Sequence, residues 1–204
     1  MKKIMFSDKY GLTQAVLELR KKNTRRQDKS LDNAIEKYEE TYKTPFSIIS
    51  QYYDSGLERL VIRAPDEPIY IKPRYLPGEV VAVAQSYEDA GFYPMGRKDE
   101  PGWRNKMFVR ADRMNHQIRI TNVRVERLWD ISDEDCIREG VFMDETAPPC
   151  YQPFYTFPGS IDHDTQIGYK TPREAFADLI DKISGKGTWD ANAYFLVYEF
   201  ELVK

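Results

Sequence analysis

Gln117-Ile118-Arg119-Ile120-Thr121-Asn122-Val123-Arg124-Val125-Glu126-Arg127-Leu128 is the clearest strand in the chain. Ile118 and Ile120, then Val123 and Val125, alternate with Arg119, Arg124 and Glu126, the period of a half-buried strand. The phase slips at Thr121-Asn122, which predicts a bulge or bend. Upstream, the turn Pro77-Gly78 leads into Glu79-Val80-Val81-Ala82-Val83-Ala84-Gln85, a β-branched, largely apolar run expected to be a buried strand. Lys106 to Ala111 is expected to form another strand. Leu60-Val61-Ile62 and Ile69-Tyr70-Ile71 read as two more, separated by the turn-forming Pro65-Asp66-Glu67-Pro68. Residues 2–6 suit a short strand, and Tyr194 to Val203 closes the chain as one.

Helices are fewer. Asp8 can cap one running to about Arg20, with Leu12, Ala15, Val16 and Leu19 on one face. A second is expected from Leu31 to about Tyr42, capped by Ser30 and polar enough to be a surface decoration. Ser132 opens a short third helix with Asp133, Glu134 and Asp135 in its first turn and Gly140 as its stop. Thr171-Pro172-Arg173-Glu174 is a capping box with proline at the first helical position. The helix it starts carries Phe176, Leu179, Ile180 and Ile183 and ends at Gly185. Residues 88–105 read as a loop, and 141–170 as a long segment without period, a lid or packed insertion. Strands outnumber helices and no repeat or linker is visible. The expectation is therefore one α+β domain over residues 1–204, a mixed β-barrel and not a doubly wound sheet.

Composition narrows the function. The chain has 204 residues, a net charge of −3 and 10 phenylalanines, 14 tyrosines and 3 tryptophans, which suits a soluble globular protein. That charge argues against sequence-blind coating of DNA, which relies on many phosphate contacts. Cys136 and Cys150 lack metal-ligand spacing and are expected to be free thiols. His116 and His163 are too isolated to suggest a metal site, so no metal or cofactor is expected. Residues 1–8 have no long apolar segment after their lysines, so no signal peptide is expected, nor any membrane partner; the cytoplasm is the expected compartment.

Against this acidic background, Arg20-Lys21-Lys22-Asn23-Thr24-Arg25-Arg26 stands out. Six of the ten residues from Arg20 to Lys29 are basic, which points to a local anion site. Lys21 and Thr24 supply an amine and a hydroxyl that can act as base and nucleophile. Each also has a plainer reading. Thr24 is a good strand former, and Lys21 and Lys22 follow a helix whose C-terminal dipole favours cations. Trp103, Phe92 and Tyr93 lie on or beside the Gly/Pro-rich loop, where aromatics either stack on bases or plug the loop onto the core. Tyr151, Phe154, Tyr155 and Phe157 suit either a pocket lid or a hydrophobic cluster of their own.

Three segments carry a resemblance to the ASCH family, a branch of the PUA-like barrels. Leu19-Arg20-Lys21-Lys22-Asn23-Thr24-Arg25-Arg26 is similar to the pattern Gly-x-Lys-x-x-Thr-x-Arg, departing from it at Leu19. Pro77-Gly78-Glu79-Val80-Val81-Ala82-Val83 resembles the family's Gly-Asp/Glu-apolar strand. Asp130-Ile131-Ser132 through Glu139-Gly140 resembles its helix ending in Glu-Gly. Val197-Tyr198-Glu199-Phe200 suits the last strand. The resemblance implies a PUA-like mixed β-barrel flanked by helices, with insertions near 29–75, 88–105 and 141–170. It further implies a pocket joining Lys21 as general base, Thr24 as nucleophile and Glu139 as acid or substrate-orienting carboxylate. Some small members release acetate from N4-acetylcytidine, others are described as ribonucleases, and the family is associated with RNA. The implied function is an amidohydrolase on N4-acylated cytidine-type nucleosides, with Arg20, Lys22, Arg25, Arg26 and Trp103 as substrate- or RNA-binding residues. The alternative is a non-catalytic RNA-binding module, its partner single-stranded RNA. Glu139 is expected not to pair tightly with Lys21 in the reactive state, because a nearby carboxylate favours protonated lysine.

Overall fold

The quoted strand is the long axis of the main sheet. In the computed structural model, which describes residues 1–92, 101–144, 154–160 and 168–203, β1 is Lys3–Ile4, β2 is Asn23–Arg26, β6 is Val80–Val83, β7 is Gln117–Arg127 and β10 is Tyr194–Leu202. They form one five-stranded sheet in the order β1-β6-β7-β10-β2. Only the β1–β6 pair is parallel. The expected bulge is present. Glu199 faces Asn122 and Phe200 faces Ile120, so Thr121 is the extra residue. β3 (Ser50–Asp54), β4 (Arg59–Arg63) and β5 (Ile69–Ile71) make a second, antiparallel sheet, and β8 (Phe142–Asp144) pairs with β9 (Phe154–Thr156). The molecule is α+β. Among the described residues no backbone pairing joins the sheet edges β1 and β2.

Helix caps follow local chemistry and correct several boundaries. α1 is only Leu12–Leu17, opened by Gly11 and not by Asp8. The Asp8 carboxylate instead accepts from Thr13 Oγ1 at 2.5 Å and from Lys106 Nζ at 2.7 Å. Leu19, expected on the buried face, lies beyond the helix end, 56% exposed. α2 is Lys29–Tyr42, capped by Asp28, whose carboxylate accepts from the amides of Ser30 and Leu31. The cap falls two residues earlier than expected because Asp28 reaches the first free amides of the helix. α2 is no mere decoration, because Leu31 and Tyr38 are buried in the main core.

α3 (Asp133–Arg138) and α4 (Pro172–Ser184) start where their sequences place them. Ser132 accepts from the Asp135 amide and Thr171 from the Glu174 amide. α5 (Thr188–Ala191) follows α4. The strand expected at Lys106–Ala111 is instead part of two 3₁₀ turns, Lys106–Phe108 and Ala111–Arg113. Asn105 caps the first by accepting from the Met107 amide, and Met107 and Phe108 face solvent. Within 141–170, expected to lack regular structure, β8 and β9 pair antiparallel, and Tyr155 bridges Tyr169.

The main core lies between the five-stranded sheet, the second sheet and the helices. Ile118, Ile120, Val123 and Val125 of β7 meet Leu31, Leu60, Ile62, Phe176 and Leu179 there. Phe157 belongs to this core, not to a satellite cluster. No helix among the described residues is long and apolar enough to cross a membrane.

Candidate active site

β2 leaves α1 through Leu19, Arg20 and Lys21, and the backbone folds back tightly. The amides of Arg20 and Lys21 both donate to the Ala15 carbonyl, and the Lys22 amide donates to the Arg138 carbonyl at the end of α3. That last bond docks the start of β2 against the α3 C-terminus. It brings Lys21 to Glu139, 118 residues away in sequence. Lys21 Nζ donates to Glu139 Oε2 at 2.5 Å and to the Glu139 carbonyl at 2.7 Å. Both residues are buried, at 2% and 5% exposure.

Arg25 completes the arrangement. Its guanidinium donates to Glu139 Oε1 at 3.0 Å, to Glu126 Oε2 at 2.6 Å and to Asp135 Oδ2 at 3.4 Å. Arg124 donates to the same Asp135 oxygen at 2.6 Å and to Glu199. Lys21, Arg25, Arg124, Glu126, Asp135, Glu139 and Glu199, on or beside β2, β7, α3 and β10, thus form one largely buried network. Burying charges costs several kcal/mol per ion unless partners are close and well aligned. Here the Glu139 carboxylate is matched by Lys21 on one oxygen and Arg25 on the other.

A cavity of about 40 Å³ abuts this network, lined by Lys21, Thr24, Arg25, Arg26 and Glu139 on one side and by Phe6 and α4 on the other. α4 contributes Phe176, Leu179, Ile180 and Ile183. Thr24 is 4% exposed, and its hydroxyl has no protein hydrogen bond among the described residues. Arg26 donates to the Met5 carbonyl and lies 5.6 Å from the Phe6 ring centroid. Burial pushes the Lys21 ammonium below its ordinary value; Glu139 opposes this, while Arg26 and Arg25 add to it.

The structure therefore brings five of the expected site residues to one place, Lys21, Thr24, Glu139, Arg25 and Arg26. Lys21 and Glu139 are tightly paired here, contrary to the expectation for a reactive state. The other three site residues lie apart from the cavity. Arg20 pairs with Glu18 at 2.5 Å and lies over the Phe142 ring. Lys22 is exposed. Trp103 is half-buried beside Tyr87's segment, where its carbonyl accepts from the Glu88 amide. Arg25 is occupied by three carboxylates, so its guanidinium braces the site and is not available to a substrate phosphate.

Sequence reasoning missed Glu126, Arg124 and Asp135. Their signal was present, since Arg124 and Glu126 alternate with valines on β7, but that pattern also describes a solvated strand face. The Cys136 thiol is buried and unpaired, and burial pushes it up to about 12, so it is inert. Cys150, His163, Tyr93 and Tyr151 lie outside the described residues. No family model, curated protein or solved structure matches this chain.

Proposed function

We propose that the chain is an amidohydrolase acting on N4-acylated cytidine-type nucleosides, with an ASCH-like site on a PUA-like barrel. One observation carries the reading: Thr24, whose hydroxyl is uncommitted among the described residues, lines the same small cavity as the Lys21–Glu139 pair, facing apolar side chains of Phe6 and α4. Threonine is a weak nucleophile until a base takes its proton. Lysine serves as that base only when neutral, and burial beside two guanidinium groups favours the neutral form. Glu139 accepts from Lys21 Nζ and from Arg25, which fixes the amine beside the cavity.

In the proposed reaction, Lys21 takes the Thr24 proton as Oγ1 attacks the acyl carbonyl. Collapse of the tetrahedral adduct breaks the C–N bond, and the cytosine amine leaves with the proton from Lys21. Water, deprotonated by Lys21, then releases acetate and restores Thr24. A volume near 40 Å³ is on the scale of one or two waters. It suits a two-carbon acyl group, with the nucleoside body outside. The barrel part of the reading is supported by Arg26, whose side chain on one sheet edge, β2, reaches the carbonyl of Met5 just past the other edge, β1.

The test is acetate release from N4-acetylcytidine by purified protein. Thr24→Ala should abolish turnover and Lys21→Ala should reduce it by about 10²-fold or more. Equal rates in all three proteins would end the mechanism. The second reading, a non-catalytic RNA-binding module, is favoured by the tight Lys21–Glu139 pairing. It expects no turnover and RNA binding that weakens as salt rises.

A further inference from the structure

Beside the small cavity lies a larger cleft of about 370 Å³. The two share Met5 and Arg26 in their walls, so the Arg26 side chain stands between them. The cleft is built from β1, β2, β10 and the segment after β5. Among the described residues its cations are Lys3, Arg26 and Arg74, and its one acid is Asp28. That acid is engaged, because Asp28 Oδ1 accepts from the amides of Ser30 and Leu31 and from the Ser30 hydroxyl. Lys3 is engaged as well, donating to the carbonyls of Lys106, Met107 and Val109.

The two arginines are different. Arg74 is exposed and has no carboxylate or hydrogen-bond partner for its guanidinium among the described residues; it lies 5.5 Å from the Tyr75 ring centroid. Arg26 has no carboxylate partner either, and its buried Nε has no hydrogen-bond partner. The Tyr198 hydroxyl accepts from the Arg74 amide at 3.2 Å, which leaves its proton to donate. Burial pushes that phenol up to about 12, so it remains a donor across the working pH range. On the other side of the Arg26 side chain, every carboxylate near the network is matched by a cation. Two guanidinium groups without carboxylate partners among the described residues, one of them also donating to the Met5 carbonyl, and a phenol line one cleft, the donor set that a phosphate takes.

We propose that this cleft binds the phosphate of a nucleotide, so that the substrate of the site is a phosphorylated nucleoside with its acyl group in the small cavity. The inference rests on the amidohydrolase reading for the acyl end alone; the phosphate site stands on Arg26, Arg74 and Tyr198. A cleft of this volume matches one nucleotide, not a run of them. The phosphate could belong to a free mononucleotide or to the end of an RNA strand.

Calorimetric titration of the full chain with orthophosphate, cytidine, cytidine 5′-monophosphate and a short 5′-phosphorylated RNA tests this. Cytidine 5′-monophosphate should bind at least about tenfold more tightly than cytidine, and orthophosphate should compete with it. Arg74→Ala, an exposed position that should fold normally, should remove about that tenfold gain, as should Arg26→Gln. Lys72→Ala, an exposed cation near Arg74 that is paired with Glu58, should leave it intact. Stronger binding of the phosphorylated RNA than of the mononucleotide would assign the site to a strand end; the reverse order would assign it to a free nucleotide. Equal binding of cytidine and its monophosphate would overturn the proposal, as would equal losses in Lys72→Ala and Arg74→Ala. Because these are binding measurements, they can succeed where acetate release fails, and the reverse holds too.

Discussion

Leu19 has a φ of 62°, in the left-handed region that costs a non-glycine residue about 1–2 kcal/mol. Glycine is the residue that adopts such a backbone freely. The turn is needed because Arg20 and Lys21 must fold back onto the Ala15 carbonyl to aim Lys21 at Glu139. Lys21 itself gives a pH signature. Its folded-state pKa lies below the ordinary 10.5, so between those two values the unfolded chain binds more protons than the folded one. Stability linked to Lys21 is lowest below the folded value, rises with pH through that window and levels off above 10.5. The difference in urea-unfolding free energy between wild type and Lys21→Met should therefore grow in favour of wild type from neutral pH to about pH 10. A difference that stays flat over that range would mean the lysine is not held against its charge.

Glu139 reaches the site because α3 stops abruptly. Its last turn ends at Gly140, with φ at 111° and an added Cβ only 2.9 Å from Leu12 Cδ2. The left-handed backbone favours glycine, and a Cβ there would push the Leu12 methyl aside. Gly140→Ala should cost more than about 1 kcal/mol in denaturant unfolding and should weaken the Lys21–Glu139 pairing by shifting the Glu139 carbonyl. Full stability in that variant would show that the helix end can relax without loss. This stop was legible in the sequence, as were the bulge in β7, the Thr171 cap of α4 and the closing strand. Each is fixed by local chemistry, such as a cap, a proline or an alternation. β3 was not legible, because Ser50-Gln51-Tyr52-Tyr53-Asp54 has little apolar alternation and is held by its pairing with β4. Lys106–Ala111 read as a strand, yet Asn105 captured the Met107 amide first.

The two larger sheets are coupled by a side chain. Gln51 of β3 donates from Nε2 to the Val125 carbonyl at 2.8 Å, and the Val125 amide donates to Gln51 Oε1 at 2.6 Å. One amide group thereby satisfies a donor and an acceptor on the β7 backbone. Gln51→Ala would leave both unpaired, at a cost of about 1–3 kcal/mol. It should raise hydrogen exchange at the Val125 amide while leaving the β7–β10 ladder protected. Unchanged exchange at Val125 would mean that solvent replaces the glutamine.

Periodicity, caps and turn residues determined the α+β class, most element positions and the basic stretch at 20–26, because these depend on neighbours along the chain. Pairing of opposite charges was not determined that way. That Arg25 is spent on three acids while Arg26 and Arg74 have none among the described residues, that Lys21 meets Glu139, and that Lys22 and Trp103 stand apart were settled by packing. Coulomb attraction and desolvation depend on through-space distance and burial, and residues 118 positions apart acquire both only when the sheet and helices close around them.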